Sequence, residues 1–171
     1  MKKTRWIQGI TLFILVGFIT ILVVNLNKNE SVTVGDEAYD FALEDRTGEI
    51  YQLSDYRGKP VVLNFFTTWC ESCHEVAPSL IEFEKEYGDE FQIFTIVRAE
   101  SERTLEKYLE RTGYEDRLYI FDYDMEVSDR YGIVGQPETV IIDENGMIVE
   151  HIVGPITGKE LAKVMSNLQL L

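Results

Sequence analysis

The sequence predicts an α/β domain, a mixed β-sheet flanked by helices, carried behind one N-terminal membrane-spanning helix. Three observations predict it. Apolar runs of strand type alternate with stretches of helical periodicity from residue 36 to the C-terminus. That alternation ends in two strand-like runs joined tightly around Asn145-Gly146. Near the N-terminus, the 22 residues from Trp6 to Asn27 contain no ionisable side chain. Strand–helix–strand units build parallel pairs and a tight hairpin builds an antiparallel one, so the sheet is mixed.

A helix over residues 6–27 would be about 33 Å long, enough to cross a bilayer core. Lys2, Lys3 and Arg5 precede it and keep residues 1–5 in the cytoplasm by the positive-inside bias. The run exceeds an ordinary signal-peptide core and is followed by Asn27-Lys28-Asn29-Glu30, not by a small-residue cleavage site. It is therefore read as an uncleaved, single-pass signal anchor in the cell membrane, with a removed signal peptide as the competing reading. Residues 28–35 form a tether, and residues 36–171 form an extracytoplasmic domain.

The chain of 171 residues carries 30 acidic against 16 basic side chains, a formal net charge of −14. All the acids follow the apolar run. Phosphate binding needs a basic face, so nucleic acid is excluded as a partner. With two cysteines the chain is no disulfide-stapled miniprotein, and its 45% hydrophobic content suffices for a core.

Within the domain, Phe41–Leu43 and Ile50–Leu53 flank Asp45-Arg46-Thr47-Gly48 as an N-terminal β-hairpin. Val61–Phe66 is a short apolar run rich in β-formers, expected for a central strand buried on both faces. Cys73, Val76, Ala77, Leu80, Phe83 and Tyr87 recur at helical spacing, with Pro78 expected to kink that helix. Phe91–Val97 is a second core strand. Ser101–Thr112 is a helix buried through Leu105, Tyr108 and Leu109, and Gly113 is placed to end it. Leu118–Phe121 is a strand and Met125–Tyr131 a short helix. Thr139–Ile142 and Ile148–Val153 form the closing hairpin, and Thr157 with Glu160 has capping-box spacing for a last helix over Leu161, Val164, Met165 and Leu168.

Trp69-Cys70-Glu71-Ser72-Cys73 falls where the central strand ends and a helix begins. Unpaired amides and the helix dipole favour a thiolate on Cys70 there, and Cys70 is expected to be exposed, with Cys73 one turn on and more buried. The three-residue offset lets the sulfurs close a small disulfide, so that Cys73 can resolve a mixed disulfide made by Cys70. A purely structural disulfide across so short a loop would add little stability. A zinc site needs further ligands, and only His74 and His151 are available. Cys70-Glu71-Ser72-Cys73-His74 also matches the c-type haem attachment pattern, but His74 falls on the polar side of the helix and reads as a solvated side chain. Thr67 has the spacing to Cys70 of a peroxidatic motif, yet Leu63 stands where that motif has proline.

The run from Val61 to Cys73, with Pro78, resembles the redox site of thioredoxin-like proteins. Tyr131-Gly132-Ile133-Val134-Gly135-Gln136-Pro137-Glu138-Thr139 is similar to the loop that in this superfamily holds a cis-proline facing the cysteines. The resemblance covers the chain from Val34 onward. The anchor, the N-terminal hairpin and the inserted helix–strand unit 101–121 match the membrane-tethered ResA, TlpA and DsbE-type branch, and Pro137-Glu138-Thr139 leans toward its cytochrome c maturation members.

The resemblance implies a thioredoxin-like fold and a thiol–disulfide oxidoreductase with a redox-active Cys70–Cys73 disulfide. Cys70 is then the nucleophile and Cys73 the resolving thiol, Trp69 packs over the site, and Gln136 and Pro137 position the substrate strand. It implies a disulfide-bearing protein substrate, such as apocytochrome c before haem attachment, and an integral membrane dithiol carrier as electron donor. It implies no bound cofactor and no metal. A c-type haem protein, a non-catalytic binding domain and a reductive role in spore-envelope assembly are the alternatives.

Three positions depart from the pattern. Val76 stands where ResA-like relatives carry a glutamate, leaving Glu138 as the substitute for proton transfer, unless it is an exposed strand end. Asn64 replaces the buried aspartate of cytosolic thioredoxins. Glu71-Ser72 lacks a common proline, and the Glu71 carboxylate disfavours a thiolate on Cys70. That favours the disulfide and makes the dithiol a better reductant.

Overall fold

The computed structural model describes residues 13–20 and 31–171. Five strands form one sheet: β3 (Val61–Phe66), β4 (Gln92–Arg98), β5 (Tyr119–Asp122), β6 (Glu138–Ile142) and β7 (Ile148–Val153), in the order β5-β4-β3-β6-β7. β3, β4 and β5 are parallel, and β6 and β7 are antiparallel to their neighbours, as the alternation and the terminal hairpin predict. β1 (Ala42–Glu44) and β2 (Ile50–Gln52) make the separate N-terminal hairpin.

Every residue of β3 is buried, and its side chains alternate between the two faces of the sheet. Val61, Leu63 and Phe65 pack with Phe41, Leu53, Phe94, Ile96, Val127 and Tyr131, under the hairpin and the short helix α3 (Glu126–Arg130). Val62 packs with Val76, Leu80 and Phe83 of α1 (Glu71–Tyr87) and with Leu161 and Met165 of α4 (Gly158–Asn167). Phe66 joins Leu105, Tyr108 and Leu109 of α2 (Glu102–Thr112). A period-two strand between two apolar layers reads as a continuous hydrophobic run for this reason.

α1 continues through Pro78 to Tyr87 as one element. α2 starts on Ser101, whose side chain accepts from Thr104 N–H, and ends at Gly113 in a left-handed conformation, φ 72°. The Thr157–Glu160 capping box is formed at the head of α4. Of the expected anchor 6–27, residues 13–20 are helical; the remainder lies outside the described residues, as do residues 1–5 and residues 28–30 of the tether. Among the described residues no helix is long and apolar enough to cross a membrane.

Candidate active site

β3 delivers the chain to the C-terminal edge of the sheet, and α1 begins five residues later, at Glu71. Cys70 is the N-cap of α1, and its Sγ accepts a hydrogen bond from Cys73 N–H at 3.1 Å. The two sulfurs are joined as a disulfide. Cys70 is 5% exposed and Cys73 3%, so the expectation of an exposed first cysteine does not hold in this oxidised state. Both sulfur-bearing side chains belong to the apolar cluster of Phe66, Val97, Leu105 and Tyr108. Cys70 is reached through a shallow groove lined by Trp69, Glu71, Ser72, Glu75 and Gln136. Trp69 stands at its rim and is 70% exposed.

The approach loop is tied by two residues that no local pattern marks. Glu100 takes Thr68 N–H on one carboxylate oxygen at 2.7 Å and Thr68 Oγ1 on the other at 2.8 Å. His74 Nε2 donates to the Thr68 carbonyl at 2.9 Å, and its ring lies 4.9 Å from that of Tyr108. His74 is therefore not the solvated histidine its neighbours suggest. The reason is α2, whose Tyr108 covers that side of α1; with its ring so engaged, His74 is no ready axial ligand for a haem.

The Gln136–Pro137 peptide bond is cis. Glu138, which follows, is not an exposed strand end but 1% exposed. One of its carboxylate oxygens accepts from Val134 N–H at 3.0 Å and Gly135 N–H at 2.7 Å, and the other is 2.7 Å from His151 Nε2. Asn64 Nδ2 donates to Thr139 Oγ1 at 3.2 Å, between residues paired in the β3–β6 register. Val76 is buried in the helix–sheet core, so that position offers no proton carrier.

A cysteine pair capping the helix that follows the central strand of this sheet, opposite a cis-proline loop, defines a thiol–disulfide oxidoreductase of thioredoxin-like fold. The chain belongs to the AhpC/TSA family, whose model matches residues 34–151. It is 30% identical over 160 residues to the thioredoxin-like protein YneN of Bacillus subtilis, covering 92% of this chain and 94% of that one. It is 33% identical over 143 residues to the thiol-disulfide oxidoreductase ResA of Geobacillus thermodenitrificans, covering 83% of this chain and 82% of that one. Among solved structures, a Chlorobium tepidum protein assigned as the thiol:disulfide interchange protein DsbE aligns with a TM-score of 0.72 at 28% identity, over 82% of this chain and 99% of that one. The pneumococcal exposed lipoprotein thioredoxin Etrx1 of Streptococcus pneumoniae aligns at 0.69 and 28%, over 75% and 99%.

Proposed function

We propose that this oxidoreductase is a reductant of protein disulfides on the outer face of the cell membrane, held there by residues 6–27. The Cys70 thiolate attacks a substrate disulfide; a Cys70–substrate bond forms, and one substrate sulfur leaves and takes a proton. Cys73 then loses its proton and attacks Cys70 Sγ. The second substrate thiol is released and the Cys70–Cys73 disulfide forms, so the substrate gains two electrons and two protons. An integral membrane dithiol carrier restores the dithiol, and the chemistry needs no bound cofactor. The disulfide of an apocytochrome c segment, reduced before haem attachment, is the substrate this reading favours.

The observation that carries the reading is Cys73 N–H directed at Cys70 Sγ. In the dithiol the same amide and the helix terminus favour charge on the attacking sulfur. The exposed Trp69 and Val134, 70% and 89% accessible, offer apolar contacts to a substrate, and Gln136 and Pro137 position its strand. The Glu138 carboxylate holds the loop before Pro137, while the half-buried His151 connects that buried acid with solvent as a route for protons. The anchor is supported by the uncharged run with its basic flank. It is also supported by Phe13, Ile14 and Phe18, each more than 60% exposed on the helical residues 13–20, which suit a lipid surrounding.

Cys73→Ser tests the reading: the full-length variant should accumulate a mixed disulfide through Cys70, and mass spectrometry of the trapped adduct should return an apocytochrome c. Capture of a spore-envelope protein in its place would move the substrate assignment. Failure of Cys70 to form an adduct with any protein would refute the mechanism.

A further inference from the structure

Arg98 closes β4 and is 8% exposed, although a charged side chain at the end of an apolar strand ordinarily reaches solvent. Its guanidinium is spent on one loop and its support. Nη1 donates to the Gly135 carbonyl at 2.9 Å and to Gln136 Oε1 at 2.7 Å, and Nη2 donates to the Ile133 carbonyl at 3.2 Å. Nε donates to Ser128 Oγ at 3.0 Å. That hydroxyl donates onward to Asp122 Oδ2 at 2.6 Å, and Asp122 is the β5 residue paired with Arg98 in register. The buried cation and the buried anion are thus joined through a serine.

On the other side of the same loop, Glu138 accepts the amides of Val134 and Gly135. Residues 133–136 therefore have carbonyls on a buried guanidinium and amides on a buried carboxylate. Burying a guanidinium costs several kcal/mol unless its donors are satisfied, and an apolar side chain could fill a strand end without that cost. The loop so held carries Val134, the most exposed large apolar side chain of the domain, and Gln136, which lines the groove over Cys70.

We propose that Arg98 is a positioning residue for substrate capture: through Gln136 and the carbonyls of Ile133 and Gly135 it sets the loop against which a disulfide-bearing peptide docks beside Cys70. This rests on the reductant reading. Arginine is required because its planar fork serves Gly135, Gln136, Ile133 and Ser128 at once, which a lysine ammonium cannot do. Arg98 does not touch the sulfurs, so its loss should weaken peptide binding without altering the chemistry of the cysteine pair.

The test is steady-state reduction of a disulfide-bonded Cys-x-x-Cys-His peptide by the full-length protein, with dithiothreitol as electron donor. Arg98→Met and Arg98→Lys should each raise KM about tenfold while kcat stays within about twofold, the signature of lost uniform binding. The potential of the Cys70–Cys73 couple should not move. Gln136→Ala should raise KM about threefold and add nothing on top of Arg98→Met, because the two act as one unit. An unchanged KM in Arg98→Lys and Gln136→Ala, a lysine that restores it fully, or a fall in kcat at constant KM overturns the proposal. If Arg98→Met does not fold, the other two variants decide. A wild-type protein that leaves the peptide oxidised refutes the reductant reading itself, a result distinct from any of these.

Discussion

Glu138 on β6 and His151 on β7 meet across the closing hairpin, with His151 Nε2 2.7 Å from Glu138 Oε2. The carboxylate side chain is 1% exposed and the imidazole 22%. The pair lies one residue beyond Pro137, so stability and loop geometry meet at this contact.

Glu138→Leu should cost about 2–4 kcal/mol, because it leaves two loop amides and a histidine nitrogen without their acceptor. Glu138→Gln, which keeps an oxygen for the amides, should cost about 1 kcal/mol. Urea unfolding of the oxidised protein measures both. Equal costs would show that the amide contacts contribute nothing.

Gly158 is the first residue of α4, and a Cβ there would drive into the Ser79 carbonyl and the Cβ of Phe83 on α1. Its own N–H donates to the Ser79 side-chain Oγ at 3.1 Å, so the head of α4 sits closely against α1 at this point. Gly158→Ala should therefore destabilise by about 1–3 kcal/mol through overpacking. Thr157→Ala, which removes the adjacent cap, should cost about 1 kcal/mol. Thermal melts of the two variants separate close packing from capping.

Burial pushes the Tyr108 hydroxyl up to about 12 and raises those of Tyr119 and Tyr131 as well. Each folded hydroxyl holds its proton where the unfolded chain, with an ordinary value near 10, has released it. Stability is therefore full below about pH 10 and is lost as pH climbs from there through the folded values. Circular dichroism should be lost as pH climbs above about 10, and Tyr108→Phe should flatten that decline. An alkaline decline as steep in Tyr108→Phe as in the wild type would contradict this.

Glu71 is exposed in the first turn of α1, next to Cys70. Glu71→Gln should make the potential of the cysteine pair less negative by about 10–20 mV, the scale of one solvent-screened charge. The difference should shrink in high salt. A shift of the opposite sign would remove Glu71 from the account of reducing power.

What could be read from the chain was local. Val61–Phe66 could be bounded to the residue because both of its faces are buried, and the Thr157–Glu160 cap and the Asn145-Gly146 turn are short-range signals. The cysteine pair was legible because its chemistry depends on a fixed offset. What could not be read depends on contacts between residues far apart in sequence. Nothing near His74 announces Tyr108, nothing near Glu100 announces Thr68, and Arg98 meets its acceptors only when β4 is laid beside the loop after α3. The burial of Cys70 is illegible for the same reason. Leu105, Tyr108 and Leu109 of α2, which follows it far along the chain, help form the apolar cluster that encloses it.

The reduction potential of the Cys70–Cys73 couple, measured by equilibrating the full-length protein in dithiothreitol or glutathione buffers, tests the central claim most directly. A disulfide reductant requires a value more negative than about −200 mV. A value near the −120 mV of a strong oxidant would contradict it, and electrons would then flow into this protein from its substrates.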